Sequence, residues 1–210
     1  MKEATEGVIK FTLDHEVGEA PPAELTAPLR AWFHILRRLD LLGRDPARYL
    51  GYAYGNLSRR QGNGFLITCT QTSGQDRLAP EQFTRVTGWN LEANRVHSLG
   101  PCRPSSEALT HAVVYETVPA AHFVFHVHSP EIWSRTEALA LPGTDPAAEY
   151  GTPQMALATV AVLKNMGCPT QGLLSMGRHE DGIVAWGKTA GEAGGLLVSA
   201  LAQALELGAP

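Results

Sequence analysis

The stretch FVFHVHS, residues 123–129, decides how the rest of this sequence is read. Its aromatic and β-branched residues suit a strand, and side chains along a strand alternate between two faces. Ala121, Phe123, Phe125 and Val127 therefore share one side, and His122, Val124, His126 and His128 share the other. One face reads as core; the other presents imidazoles. His126 and His128 would stand about 6.6 Å apart along the backbone, near enough for both rings to converge on one cation at about 2.0–2.1 Å. Two histidines on one face, backed by a wholly apolar face, favour a metal site over a pair of satisfied core histidines. His122, about 13 Å along the strand from His126, is too far away to share the ion.

A catalytic metal site needs a third protein ligand and an open coordination position. His34 falls in an amphipathic helix and His15 in an irregular N-terminal segment, so neither is well placed. His179 is better placed, in the polar turn RHED between the apolar runs GLLSMG (172–177) and GIVAWG (182–187). Glu180 and Asp181 share that turn and are donors of the same order, so the residues alone leave the third ligand open among the three.

Just before the histidine strand, PSSEALTHAVVYETV (104–118) predicts a helix from about Ser106 to Thr117, capped by Ser105. Glu107 then falls in its first turn. A first-turn acid often does no more than complement the helix dipole. Here the exposed backbone N–H groups and the hydroxyls of Ser105 and Ser106 also make an anion cradle, so Glu107 becomes a general acid/base candidate beside it. Two glycine turns, GNLS (55–58) and TSG (72–74), offer close backbone approach and small polar donors to the same cradle. Arg59 and Arg60 follow the first turn and are either additional anion ligands or solvated charges. GxGxxG does not occur, so dinucleotide binding has no support.

The remaining chain alternates helix and strand signals. Leu25, Leu29, Trp32, Phe33, Leu36, Leu39 and Leu42 recur at helical intervals between Pro22 and Gly43. Residues 50–74 read as short strands broken by glycine, and 83–100 as a hairpin around NLEAN. A helix is expected near Pro130, a loop over 142–152, a helix ending at Gly167, and a last helix from Thr189 to Leu207. The strands between 50 and 100 read as antiparallel. The prediction is one domain over residues 1–210, a three-layer α/β/α fold on a mixed, mostly antiparallel sheet.

With 210 residues, 44% of them hydrophobic, the chain can bury a full core. A formal charge of −4 argues against a polynucleotide partner. No apolar run approaches a membrane span and no secretory leader opens the chain, which predicts a soluble, cytoplasmic protein. Cys69, Cys102 and Cys168 lie far apart without pairing motifs and are expected to be reduced.

Taken in order, GNLS, TSG, SSE, HVH and the later His179 closely resemble the class II aldolase/adducin family, over roughly Leu25 to Leu205. The resemblance implies that His126, His128 and His179 bind a divalent cation, usually zinc, one per subunit. It gives Glu107 the acid/base role and places a substrate phosphate on Asn56, Ser73, Gly74, Ser105 and Ser106. The implied reaction is retro-aldol cleavage of a small sugar phosphate through a metal-stabilised enediolate, with dehydration or epimerisation available on the same scaffold. A homotetramer is implied as well. The chain departs from the family in a shorter segment after the histidine strand, where Tyr150 is the sole tyrosine, and in RHEDG, which replaces the more usual His-Gly run. Two other readings exist, a non-catalytic adducin-like interaction module and a zinc hydrolase on an unrelated fold. The first has no chemical need for the three histidines and Glu107, and the second leaves the serine turns without purpose.

Overall fold

The computed structural model describes residues 7–208. Its strands, in chain order, are β1 (Thr12–Val17), β2 (Gly43–Arg44), β3 (Ala53–Tyr54), β4 (Asn56–Gln61), β5 (Gly64–Thr68), β6 (Phe83–Asn90), β7 (Arg95–Gly100), β8 (Phe123–His128), β9 (Gly172–Ser175) and β10 (Gly182–Gly187). Eight of them form one sheet in the order β1-β7-β6-β5-β4-β8-β10-β9, while β2 and β3 pair separately. Within the large sheet β1 and β7 run parallel, and every other neighbouring pair is antiparallel. The sheet is thus mixed and mostly antiparallel, as the strand spacing predicts.

The helices are α1 (Ala23–Arg38), α2 (Ala108–Thr117), α3 (Pro130–Trp133), α4 (Pro153–Asn165) and α5 (Ala190–Glu206). Alternation along β8 divides the core in two. Val124 joins Leu109, Tyr115, Met155 and Leu163 in the layer under α2 and α4. Phe125 and Val127 join Leu29, Phe33, Ile132 and Leu197 in the layer under α1, α3 and α5. Helices cover both faces, giving the three-layer α/β/α architecture. Local chemistry fixes several ends. Thr152 accepts from the Met155 N–H ahead of Pro153, and Thr189 with Glu192 closes a reciprocal capping box on α5.

Three local expectations are corrected. The segment holding His15 is the edge strand β1, not irregular chain; its polar sequence TLDHEV leaves most of its side chains exposed, so no apolar alternation marks it. α1 stops at Arg38 instead of reaching Gly43, because Asp40 takes a left-handed φ of 57° and turns the buried Leu41 and Leu42 toward β2. α2 begins at Ala108, so Glu107 occupies the N-cap position and not the first turn.

The cysteine expectation is also corrected. Cys69 and Cys102 form a disulfide with a Cα–Cα distance of 5.9 Å, and Cys168 is free. The two are 33 positions apart in sequence and meet because Cys69 bridges backbone to Pro104 just past β5. Nothing in their spacing announces that contact. Arg59 and Arg60 are structural. Arg59 donates to the carbonyl of Leu25 at 2.8 Å, and Arg60 donates to the carbonyls of Ala121 at 2.9 Å and Tyr115 at 2.7 Å.

Candidate metal centre and anion cleft

β8 is an interior strand, hydrogen-bonded along its two edges to β4 and β10. His126 and His128 are completely buried and their Nε2 atoms lie 3.1 Å apart. The turn after β9 delivers His179, buried as well, with ring centroids 4.8 Å from His126 and 4.7 Å from His128. Gly182 permits this approach, since a Cβ there would come within 2.9 Å of the His179 carbonyl oxygen. One nitrogen from each of the three rings falls within a group spanning 4.8 Å.

The donor set fits a divalent cation. Two ligand nitrogens on a tetrahedral ion at about 2.0–2.1 Å stand about 3.3 Å apart, close to the observed 3.1 Å. His126 Nδ1 lies 3.2 Å from the carbonyl oxygen of Ile183, which can only accept; a proton on Nδ1 leaves Nε2 with its lone pair. Burial, and then the neighbouring His179 and Arg48, hold the His128 pKa well below the ordinary imidazole range. A neutral ring is the form that ligates metal.

Glu107, also buried, has Oε1 3.9 Å from His179 Nδ1, and its Oε2 accepts a 3.0 Å hydrogen bond from Thr110. Asp181 does not join the histidines. Its carboxylate accepts a 2.5 Å hydrogen bond from Tyr49 and lies 3.9 Å from Arg48. Of the open choice among His179, Glu180 and Asp181, His179 is the one grouped with the paired histidines.

Next to this cluster a small cleft is lined by Gly55, Asn56, Ser73, Ser105 and Ser106, together with the Cys69 end of the disulfide. Gly55 must be glycine: its φ is +78°, and a Cβ would sit 2.3 Å from Leu42 and 3.1 Å from the His126 carbonyl. Ser73 donates to the Gly55 carbonyl, which ties the TSG turn to the GNLS turn. Asn56 Oδ1 is buried without a hydrogen-bond partner among the described residues. Such a group calls for a ligand hydroxyl or, with the amide turned, an anion. Ser105 is held by its N–H donating to the Thr68 carbonyl at 3.1 Å. Gly74 packs against the Arg44 side chain and does not line the cleft.

Three tyrosines, none marked by a sequence motif, surround the cluster. Tyr49 and Tyr54 face His128 at centroid distances of 4.7 and 5.6 Å, and Tyr150 lies 4.5 Å from His179. Burial and the Asp181 hydrogen bond raise the Tyr49 pKa far above that of a free phenol, so its hydroxyl stays a donor. Behind the site, in the core under α2, Ser58 Oγ lies 2.6 Å from His111 Nδ1 and 2.8 Å from the Tyr115 hydroxyl.

Residues 46–205 match the class II aldolase and adducin N-terminal domain, and the chain belongs to that family. A 76-residue stretch, 36% of the chain, is 38% identical to methylthioribulose-1-phosphate dehydratase of Methylococcus capsulatus. That match spans about a third of the relative's own length, 34%. The fold is that of L-fuculose-1-phosphate aldolase from Thermus thermophilus, with a TM-score of 0.66 at 23% identity, over 89% of this chain and 93% of that one. A sugar-phosphate aldolase from Thermotoga maritima superposes with a TM-score of 0.64 at 15% identity, over 89% and 97% of the two chains. Among the described residues no helix is long and apolar enough to cross a membrane.

Proposed function

We propose that this protein is a metal-dependent lyase that cleaves a small sugar phosphate by a retro-aldol reaction. The observation that carries the reading is the convergence of three buried imidazoles with the buried carboxylate of Glu107, 3.9 Å from His179. His126, His128 and His179 would hold zinc or another divalent ion. Such an ion supplies Lewis-acid polarisation of substrate carbonyl and hydroxyl oxygens.

The chain's own groups do the rest. Glu107 holds and moves the proton at the carbon next to the carbonyl. Its carboxylate is buried and held in place by Thr110, which donates to Oε2. Asn56, Ser73, Ser105 and Ser106 bind the phosphate, whose three acceptor oxygens suit hydroxyl and backbone N–H donors. Burial around the histidines excludes water, which would otherwise protonate a carbanion at random. On the family pattern we take the working form to be a cytoplasmic homotetramer of single-domain subunits.

A second reading, dehydration of the sugar phosphate, is favoured by the 38% identity to a named dehydratase. Both reactions begin from a polarised carbonyl and a proton moved by one carboxylate; they differ in whether a carbon–carbon bond or a carbon–oxygen bond then breaks. Zinc-loaded protein offered ketose 1-phosphates, including L-fuculose 1-phosphate and methylthioribulose 1-phosphate, separates them. Dihydroxyacetone phosphate plus an aldehyde marks cleavage; a diketo phosphate formed with loss of one water marks dehydration. Protein that takes up no divalent ion would overturn both readings.

A further inference from the structure

His128 is walled by two tyrosines from the short segment between β2 and β4, and one of them reaches further. The Tyr49 ring packs edge-on against His128 at 4.7 Å and 69°, while its hydroxyl donates to Asp181 Oδ2 at 2.5 Å. Asp181 stands in the same turn as His179, and its backbone carbonyl accepts from Ser129, the residue directly after His128. Tyr49 therefore touches one histidine of the cluster directly and the support of another through a single hydrogen bond. The hydroxyl is itself fixed from behind. Arg48 Nη2 donates to it at 2.8 Å, Arg48 Nη1 donates to Asp40 at 3.0 Å, and Tyr54 donates to Asp40 at 2.7 Å.

This placement comes with backbone strain. Tyr49 and Leu50 have φ values of 49° and 56°, the left-handed region, which bulky L-residues occupy at about 1–3 kcal/mol each. Leu50 is 65% exposed, so burying it does not offset the strain. What the turn achieves is the aim of Tyr49.

We infer that Tyr49 is a positioning residue for the metal site: its ring fixes the plane of His128, and its hydroxyl, through Asp181, fixes the turn that carries His179. The inference rests on the reading of the three histidines as metal ligands. Residues that hold a ligating side chain from behind orient it and, when removed, cost about 10–100-fold in metal affinity.

The test uses metal-free full-length protein titrated with Co²⁺, read from the visible d–d spectrum, and with Zn²⁺ against a chromophoric chelator. Tyr49→Phe keeps the ring and removes the hydroxyl. It should bind both ions at least about 10-fold more weakly than wild type, with a shifted Co²⁺ spectrum and an unchanged Tm of the metal-free form. Asp181→Asn should lose a similar factor, and the double variant should be no worse than either single one, because the two residues make one contact. Tyr49→Phe with wild-type affinity and spectrum would overturn the role of Tyr49 and leave the metal site standing. A loss that only tracks a lowered Tm, with the spectrum unchanged, would make Tyr49 a purely structural residue and also overturn the inference. Wild-type protein that binds neither ion would remove the metal site itself, and both readings with it.

Discussion

Asn56 stands directly opposite His126 in the antiparallel ladder between β4 and β8. On the other side of β8, Gly182 stands opposite His128 and admits the His179 turn. One strand thus sets the anion cleft and the histidine cluster in fixed register. A slip of one residue on either side would turn one partner to the other face of the sheet.

Replacing His126 by alanine removes a ring whose Nε2 lies 3.1 Å from that of His128. Metal affinity should fall by well over about 100-fold, since losing outer-shell support alone costs about 10–100-fold. Elemental analysis against subunit concentration checks this. Full occupancy in the variant would strike His126 from the ligand set.

Glu107→Gln keeps shape and the Thr110 contact but cannot carry a proton. Bound metal should be retained and kcat should drop by about 10²–10⁴, the usual share of general acid/base catalysis. Unchanged turnover on an identified substrate would dismiss the carboxylate.

The hydroxyls of Ser105 and Ser106 are both buried in the cleft. A hydrogen bond to a charged group is worth about 1.5–3 kcal/mol, so each Ser→Ala change should raise KM for a phosphorylated substrate about 10- to 100-fold. The dephosphorylated analogue should hardly respond. Equal losses on both substrates would show that the serines support the fold and not the anion.

Burial pushes the His111 pKa down to about 3 in the folded protein, against about 6.5 unfolded. Above the unfolded value the ring is neutral in both states and adds no pH dependence. Below it the unfolded chain takes up a proton that the folded chain refuses, so stability falls as pH falls toward the folded pKa. Between pH 7 and pH 5 His111 alone should contribute about 2 kcal/mol to the loss, with the buried His128 adding to it in the metal-free protein. Denaturant unfolding at the two pH values measures it, and His111→Gln should remove that increment. An identical pH slope in the variant would assign the loss to other groups.

How far these features are legible in the sequence depends on the reach of the pattern involved. Alternation within FVFHVH assigns each histidine to a face because the signal lies inside six residues, and the structure keeps Val124 and Phe125 in opposite core layers. The choice of His179 over Asp181 was not local. Asp181 is engaged instead by the Tyr49 hydrogen bond, from a segment more than a hundred positions earlier. The Cys69–Cys102 disulfide is missed for the same reason, and the tyrosine wall because RYLGYAY carries no periodic or motif signal. The start of α2 is a smaller miss. Ser105 does contact the helix entrance, accepting from the Glu107 N–H at 3.4 Å, but helical geometry starts at Ala108.

β1 has a consequence for the order of events on the ribosome. It is synthesised well before its parallel partner β7, so it cannot pair until the β6–β7 hairpin has been made, several seconds later at ordinary elongation rates. Through that interval the lone strand is exposed to other nascent chains, and the open rim of β7 is exposed from its synthesis until the two pair. Asp14 and Glu16 on one, and Arg95 on the other, make these segments poor templates for strangers, and Asp14 and Arg95 close the match at 2.7 Å when the two finally meet. The polarity that hides β1 from a reading of hydrophobic pattern is the same property that lets it wait in water.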